Sequence, residues 1–242
     1  MVSSSDENDA SKADQLQKKL TELAELAGGL AHEIRNPLST ISLNLQILKE
    51  ELSPPESVRD RRMQERIVTT EKECRRLEQF LNDFLQYARV LELNCIPTDL
   101  SDYVDRFIAD IRPDLDAAGI EVSPHLSADL PPVSLDREIL HRALRNLARN
   151  AQESMRTGGV LEFQTYRSGE EVILEIIDTG EGIPSHVCQR IFETFFSTKP
   201  GGSGLGLPTV RKIVEAHGGS IQCASEVGKG TRFRIAFPVE QT

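Results

Sequence analysis

The sequence predicts an α+β chain of two domains: a helical hairpin that pairs with a second copy as a four-helix bundle, and then an α/β sandwich. Three observations predict it. Apolar residues step by three and four as far as Leu91. A proline break splits that stretch in two. Near residue 92 the period shortens to alternating runs parted by glycine turns.

Residues 1–14 are polar and lack the apolar core of a signal peptide, so they read as a disordered leader or a cut in a longer chain. The hairpin is expected over 15–91. Its first seam runs Leu16, Leu20, Leu23, Ala27, Leu30, Ile34, then, after a stutter beside Pro37, Leu38, Ile41, Leu45, Leu48 and Leu52. Ser53-Pro54-Pro55-Glu56-Ser57 breaks it. A second seam follows through Ile67, Thr70, Cys74, Leu77, Leu81, Phe84, Ala88 and Leu91. Two helices alone leave much of each seam uncovered; a symmetric homodimer covers it, and a monomeric hairpin packed on the second half is the alternative. The heptads from Leu16 read as the continuation of an input helix, with a sensor upstream.

The segment 92–98 is expected to link the domains, with a short strand over Glu92–Ile96. In the second domain, 99–240, a helix is expected over Leu100–Ala118 despite Pro113, and strands near Ile120–Leu126 and Val133–Leu135. Asp136 caps a helix to about Met155, closed by Gly158-Gly159. Strands Val160–Arg167 and Glu171–Asp178 follow, then a helix over Pro184–Phe192 and another from Gly204 to His217. Two last strands, Ser220–Ser225 and Thr231–Val239, close the domain.

The net charge of -10 argues against nucleic-acid binding and against an anionic membrane surface. Cys74, Cys95, Cys188 and Cys223 form no CxxC pair, as expected of reduced thiols in a cytoplasmic protein. No apolar run reaches the roughly 18 residues that span a bilayer.

His32 lies midway between the seam residues Leu30 and Ile34, about 200° from each, and so faces solvent, with Asn36 on the same face and Glu33 adjacent. A neutral imidazole can attack phosphorus, and a carboxylate at Nδ1 would strengthen it. By itself, an exposed His beside Glu is usually just a solvated helix face. Asn146 and Asn150 flank the stripe Leu140, Leu144, Leu147, Ala151; their amide oxygens can reach Mg2+, or they are plain surface amides. Asp178 continues the apolar face of Val172, Leu174 and Ile176 to the strand's end, where a carboxylate needs a partner such as an adenine amine. Gly180 and Gly182 let backbone approach a ligand, or simply form a turn. Gly202-Ser203-Gly204-Leu205-Gly206 opens a helix, where N–H groups favour phosphate, although a lone GxGxG is weak evidence.

The order of these strings is specific. Gly29 to Leu38 (Gly-Leu-Ala-His-Glu-Ile-Arg-Asn-Pro-Leu) strongly resembles the H-box of two-component sensor histidine kinases. Asn-Leu-Ala-Arg-Asn-Ala, Asp-Thr-Gly-Glu-Gly-Ile, Ile-Phe-Glu-Thr-Phe-Phe, Gly-Ser-Gly-Leu-Gly-Leu and Gly-Lys-Gly-Thr-Arg-Phe resemble that family's N, G1, F, G2 and final glycine boxes, in its order. Departures are Asn36, where many members carry Thr, and Thr194, where Pro is common.

The resemblance implies an ATP-binding second domain and a Mg-ATP-dependent kinase that phosphorylates His32. Glu33 would be the general base and Asn36 would orient a water. It implies Asn150 as the Mg2+ ligand with Asn146 assisting, Asp178 on adenine, and Gly180 and Gly182 along the base. Phe192, Phe195 and Phe196 would anchor a lid, with Lys199 near the phosphates. Gly202, Gly204, Leu205 and Gly206 would cradle the phosphates, and Thr231 would flank the adenine. The phosphoryl would pass to an aspartate of a response regulator receiver domain. Two rivals stand beside this reading. One is a gyrase- or chaperone-like ATP hydrolase, which carries a water-activating Glu where this chain has Asn146. The other is a non-catalytic dimeric scaffold.

Overall fold

The computed structural model describes residues 33–89, 92–199 and 201–239. The leader, the heptads from Leu16 to Leu30, His32 and Leu91 lie outside them. The chain divides into a helical unit, Met1–Val90 with Ser197–Ser203, and an α/β unit, Leu91–Phe196 with Gly204–Thr242.

In the helical unit, residues 33–51 are helical (α1) and Val58–Ala88 form α2. Ser57 starts α2 with a reciprocal cap. Its Oγ accepts from the Asp60 N–H, and Asp60 Oδ2 accepts from the Ser57 N–H. Antiparallel pairing is fixed by polar links along its length. Arg35 donates to Asn82 Oδ1 (2.8 Å), Lys49 pairs with Glu71 (3.1 Å), and Gln64 Nε2 donates to Leu52 O (2.7 Å). Of the predicted seam, Leu38, Ile67, Cys74 and Leu81 are buried, whereas Ile34, Ile41, Leu48 and Leu77 remain 43 to 53% exposed. The Ser197–Ser203 segment belongs to this unit, and Ser203 Oγ donates to Asp83 Oδ2 (2.6 Å).

In the α/β unit, β1 (Ile96–Thr98) pairs antiparallel with β3 (Val133–Leu135). The expected strand over 92–96 therefore shifts toward the C-terminus, and residues assigned to a linker join a ladder. The reason is local: the Asn94 N–H is taken by Asp136 Oδ2 (2.9 Å) rather than by a neighbouring strand. Helix α3 (Leu100–Ala117), capped by Asp99, buries Leu100, Val104, Phe107, Ile108, Ile111 and Leu115, and keeps Pro113 on its exposed side.

The main sheet comprises β2 (Ile120–Leu126), β4 (Gly159–Ser168), β5 (Glu171–Asp178), β6 (Ser220–Glu226) and β7 (Gly230–Pro238), in the order β2-β4-β5-β7-β6. Only β2 and β4 run parallel; the other neighbours are antiparallel. Residues of one face, among them Phe163, Leu174, Ile176, Ile235 and Phe237, meet α3, α4 (Arg137–Ser154) and α6 (Gly206–Ala216) in one continuous core.

Two helices are shorter than expected. Helix α5 spans only Ser185–Cys188. Beyond it the N–H groups of Arg190 and Glu193 bond three residues back, to Val187 and Arg190, so the chain continues as tight turns. Helix α6 begins at Gly206 because Gly204 has φ +66, a left-handed value that no helix residue can adopt.

Asp136 joins three parts of this unit. Its Oδ1 caps α4 through the N–H groups of Glu138 and Ile139, and its Oδ2 holds Asn94. Its own N–H donates to buried His217 Nε2 (3.0 Å) at the end of α6, while His217 Nδ1 lies 2.8 Å from Ile213 O and so carries the ring proton. Burial works against the Asp136 charge, but the N–H groups of Ile139, Asn94 and Glu138 outweigh it and hold the carboxyl below its ordinary value.

Asp136→Ala is expected to lower the unfolding free energy by about 2 kcal/mol, read by urea denaturation at neutral pH. Because the folded value is depressed, this contribution is fully present above the unfolded carboxylate value of about 3.9 and is lost as pH falls through the folded value. The difference between parent and variant should therefore shrink in acid.

Candidate functional site

The site in the α/β unit starts from strand alternation. Val172, Leu174 and Ile176 face the core, which puts Asp178 on the same face at the end of β5, only 5% exposed. A carboxylate there must be met by donors. The Gly180 N–H donates to Asp178 Oδ1 (2.9 Å). Ser154 Oγ, at the end of α4, shares its proton between Ala151 O (2.8 Å) and the same Oδ1 (3.3 Å). Ser154 was not singled out in the sequence, because one hydroxyl at a helix end leaves no periodic signal.

Thr231 sits directly opposite Asp178 across the β5–β7 ladder and is buried. Its Oγ1 lies 3.0 Å from Ser225 Oγ, which also accepts from the Ile183 N–H (2.7 Å). Ser225 thus ties the turn carrying Gly180 and Gly182 to β6; this residue too was missed, since its partners are remote in sequence. Gly230, part of the final glycine box but given no role of its own in the sequence, has φ +100, and a Cβ there would strike the Asp178 carbonyl.

Asn146 and Asn150 lie one turn apart on α4, both half-buried. Gly206 opens α6 beside Asn146: a Cβ on Gly206 would stand 3.8 Å from Asn146 Oδ1. Leu205 is the N-cap without a side-chain bond. Pro208 removes one donor from the first turn, so the N–H groups of Gly206 and Leu207 are the ones that turn can present. The structure therefore brings together Asn146 and Gly206 at one place, and Asp178, Gly180 and Thr231 at another on the same unit.

The phenylalanines differ. Phe192 packs against the core, and Phe196 lies under the Arg190 guanidinium (4.2 Å). Phe195 is 59% exposed with φ +65, held through its N–H to Gly204 O (3.0 Å), so it anchors by backbone rather than by a buried ring. Lys199 and Gly202 fall in the segment that groups with the helical unit, where the Gly202 N–H bonds Lys199 O (3.1 Å). In the helical unit, Glu33 and Asn36 are exposed on α1, and His32 lies outside the described residues. Among the described residues no cluster of three His, Cys, Asp or Glu could hold a metal ion, and no helix is long and apolar enough to cross a membrane.

Comparisons with known proteins agree with this two-part layout. Residues 22–92 match the His Kinase A (phospho-acceptor) domain, and residues 135–241 match the histidine kinase-, DNA gyrase B-, and HSP90-like ATPase family. The chain belongs to the two-component sensor histidine kinases, with a dimerisation and phospho-acceptor domain followed by an ATP-binding domain.

Sensor histidine kinase ZraS of Escherichia coli (strain K12) is 34% identical over 226 residues, 93% of this chain and 48% of ZraS. The alginate biosynthesis sensor protein KinB of Pseudomonas aeruginosa is 33% identical over 215 residues, 86% of this chain and 36% of KinB. The chain thus spans half or less of these relatives.

Among solved structures, full-length ShkA in complex with AMPPNP is similar at a TM-score of 0.69 and 26% identity, covering 91% of this chain and 47% of ShkA. The mycobacterial sensor histidine kinase MprB gives 0.52 and 30%, over 61% of this chain and 99% of its own. Histidine kinase ThkA in complex with response regulator protein TrrA gives 0.67 at 24%, over 96% and 66%, a likeness of fold.

Gly230→Ala is expected to destabilise the α/β unit by about 2 kcal/mol, from the left-handed backbone and the collision with the Asp178 carbonyl. Chemical denaturation measures it. A neutral result would show that the β6–β7 turn yields freely.

Proposed function

We propose that this chain is the kinase core of a sensor: it binds ATP in the α/β unit, transfers the γ-phosphoryl to His32, and passes it to an aspartate on a response regulator receiver domain. The observation that carries the reading is the buried Asp178. Its Oδ1 is held by Gly180 and Ser154, with Thr231 opposite, on the unit where α6 opens beside Asn146. An adenine amine is the donor such a carboxylate selects, and Gly180, Gly182 and Thr231 frame the base. Phe192 and Phe196 support the chain that leads to the lid, and Lys199 supplies a cation within it. Gly202, Gly204, Leu205 and Gly206, with the N–H groups at the start of α6, are suited to phosphate oxygens.

Asn150, assisted by Asn146, would hold Mg2+, which supplies charge neutralisation on the phosphates; neutral amide oxygens fit a hard cation that keeps other oxygen ligands. His32 is the nucleophile and Glu33 its general base. Asn36 orients the water that hydrolyses the regulator's phosphoryl group, which gives the chain a regulator phosphatase activity.

Residues 15–91 form the dimerisation and phosphotransfer hairpin and 99–240 the ATP-binding domain. The exposed seam of Ile34, Ile41, Leu48 and Leu77 supports a homodimer. A cytoplasmic location fits this chemistry. Asn146, standing where the hydrolase relatives carry a water-activating Glu, disfavours a simple ATP hydrolase. The hydrogen-bonded pocket disfavours an inert scaffold.

His32→Ala should abolish labelling from radioactive ATP while leaving nucleotide binding near the parent value; labelling that persists excludes His32. Asp178→Asn should weaken binding of a fluorescent ATP analogue about tenfold or more. Asn36→Ala should impair dephosphorylation of the regulator and spare autophosphorylation, and unchanged phosphatase activity would remove that role.

A further inference from the structure

Cys188 and Cys223 are 35 residues apart in sequence, yet their Sγ atoms lie 3.5 Å apart. Both thiols are free and half-buried, and the Cys188 thiol also points at the Cys223 carbonyl (3.8 Å). A disulfide needs a sulfur separation of about 2.05 Å, so the two atoms must close by roughly 1.5 Å. The surroundings permit it. Helix α5 has four residues, no side-chain cap and no fully buried residue, and Val187 and Cys188 rest half-buried against the core, so the closure asks for a small shift of one short helix. Strand β6 is an edge strand, bonded to β7 alone.

The place of the pair gives it consequence. Ile221, Cys223 and Ser225 alternate onto the half-buried side of β6. Ser225, two residues from Cys223, holds the Ile183 N–H. Ile183 and Pro184 join the Gly180–Gly182 turn to α5. The ring closed by a Cys188–Cys223 bond would contain Phe192, Phe196, Gly204 and Gly206.

We propose that Cys188 and Cys223 form a reversible disulfide driven by a peroxide, which clamps α5 to β6 and weakens nucleotide binding by displacing the turn beside Asp178. The second half of this proposal rests on the ATP-binding reading above. In the first step one peroxide oxygen passes to the Cys188 sulfur, giving a sulfenic acid and releasing one water. In the second the Cys223 sulfur attacks that sulfur, the S–O bond breaks, and the hydroxyl leaves with the Cys223 proton as a second water. The two thiols are oxidised and the peroxide is reduced. Burial, and then the Cys188 thiol beside it, push the Cys223 thiol up, so its thiolate is scarce.

The test uses the full chain, treated with hydrogen peroxide, blocked with a maleimide and read by peptide mass spectrometry, with binding of a fluorescent ATP analogue followed in parallel. A Cys188–Cys223 cross-linked peptide and an affinity about fivefold lower, both reversed by dithiothreitol, are expected. Cys188→Ser, Cys188→Ala and Cys223→Ser should each remove both effects, whereas Cys95→Ser should keep them. Failure to find the cross-link in folded parent protein overturns the disulfide. A cross-link with unchanged affinity overturns the clamp. If the reduced chain binds no nucleotide, the ATP-binding reading and the clamp fall together, and the cross-linked peptide alone decides the disulfide.

Discussion

A carboxylate that continues the apolar face of a strand must be met by hydrogen-bond donors, and the architecture around Asp178 follows from that demand. The sheet brings Thr231 into register with it, and α4 stops where Ser154 can reach it. The chain then turns so that the Gly180 N–H points back at the same oxygen. Gly230 is glycine because any side chain would run into the Asp178 carbonyl. One buried charge thereby organises a strand end, a helix end and two turns, and leaves a polar patch at the edge of a largely apolar face.

The frame that holds this patch is tied at the opposite end of α4. Asp136 caps that helix, anchors the chain entering the unit, and passes its N–H to His217 at the end of α6. Helices α4 and α6 are thus linked at a point remote from Asp178, so the approach of Gly206 to Asn146 is set by a rigid scaffold rather than by the glycine-rich segment itself. Loops that bind phosphate work best when their ends are fixed in this way.

Much of this was legible in the sequence where a local signal existed. Asp136 before a 3-4 apolar stripe marked α4 to within a residue of both ends, and the alternation ending in Asp178 marked β5. The strands Ile120–Leu126 and Val133–Leu135 were read with their observed bounds. Signals failed where partners are distant or the backbone departs from the regular types. The Asp136–His217 bond joins residues 81 apart, and nothing in either neighbourhood announces it. Helix α5 ended early because its continuation uses three-residue bonds, which share the helical apolar spacing.

The exposed apolar residues of the hairpin carry a thermodynamic consequence. On the proposed pairing, the helical unit completes its core only by meeting another chain, so its folding equilibrium is bimolecular and depends on protein concentration. The α/β unit closes its core within one chain and folds by a unimolecular law. Two halves of a single polypeptide would then answer differently to dilution. A cell that changes the amount of this protein would change the order of its first half while leaving the second as it was.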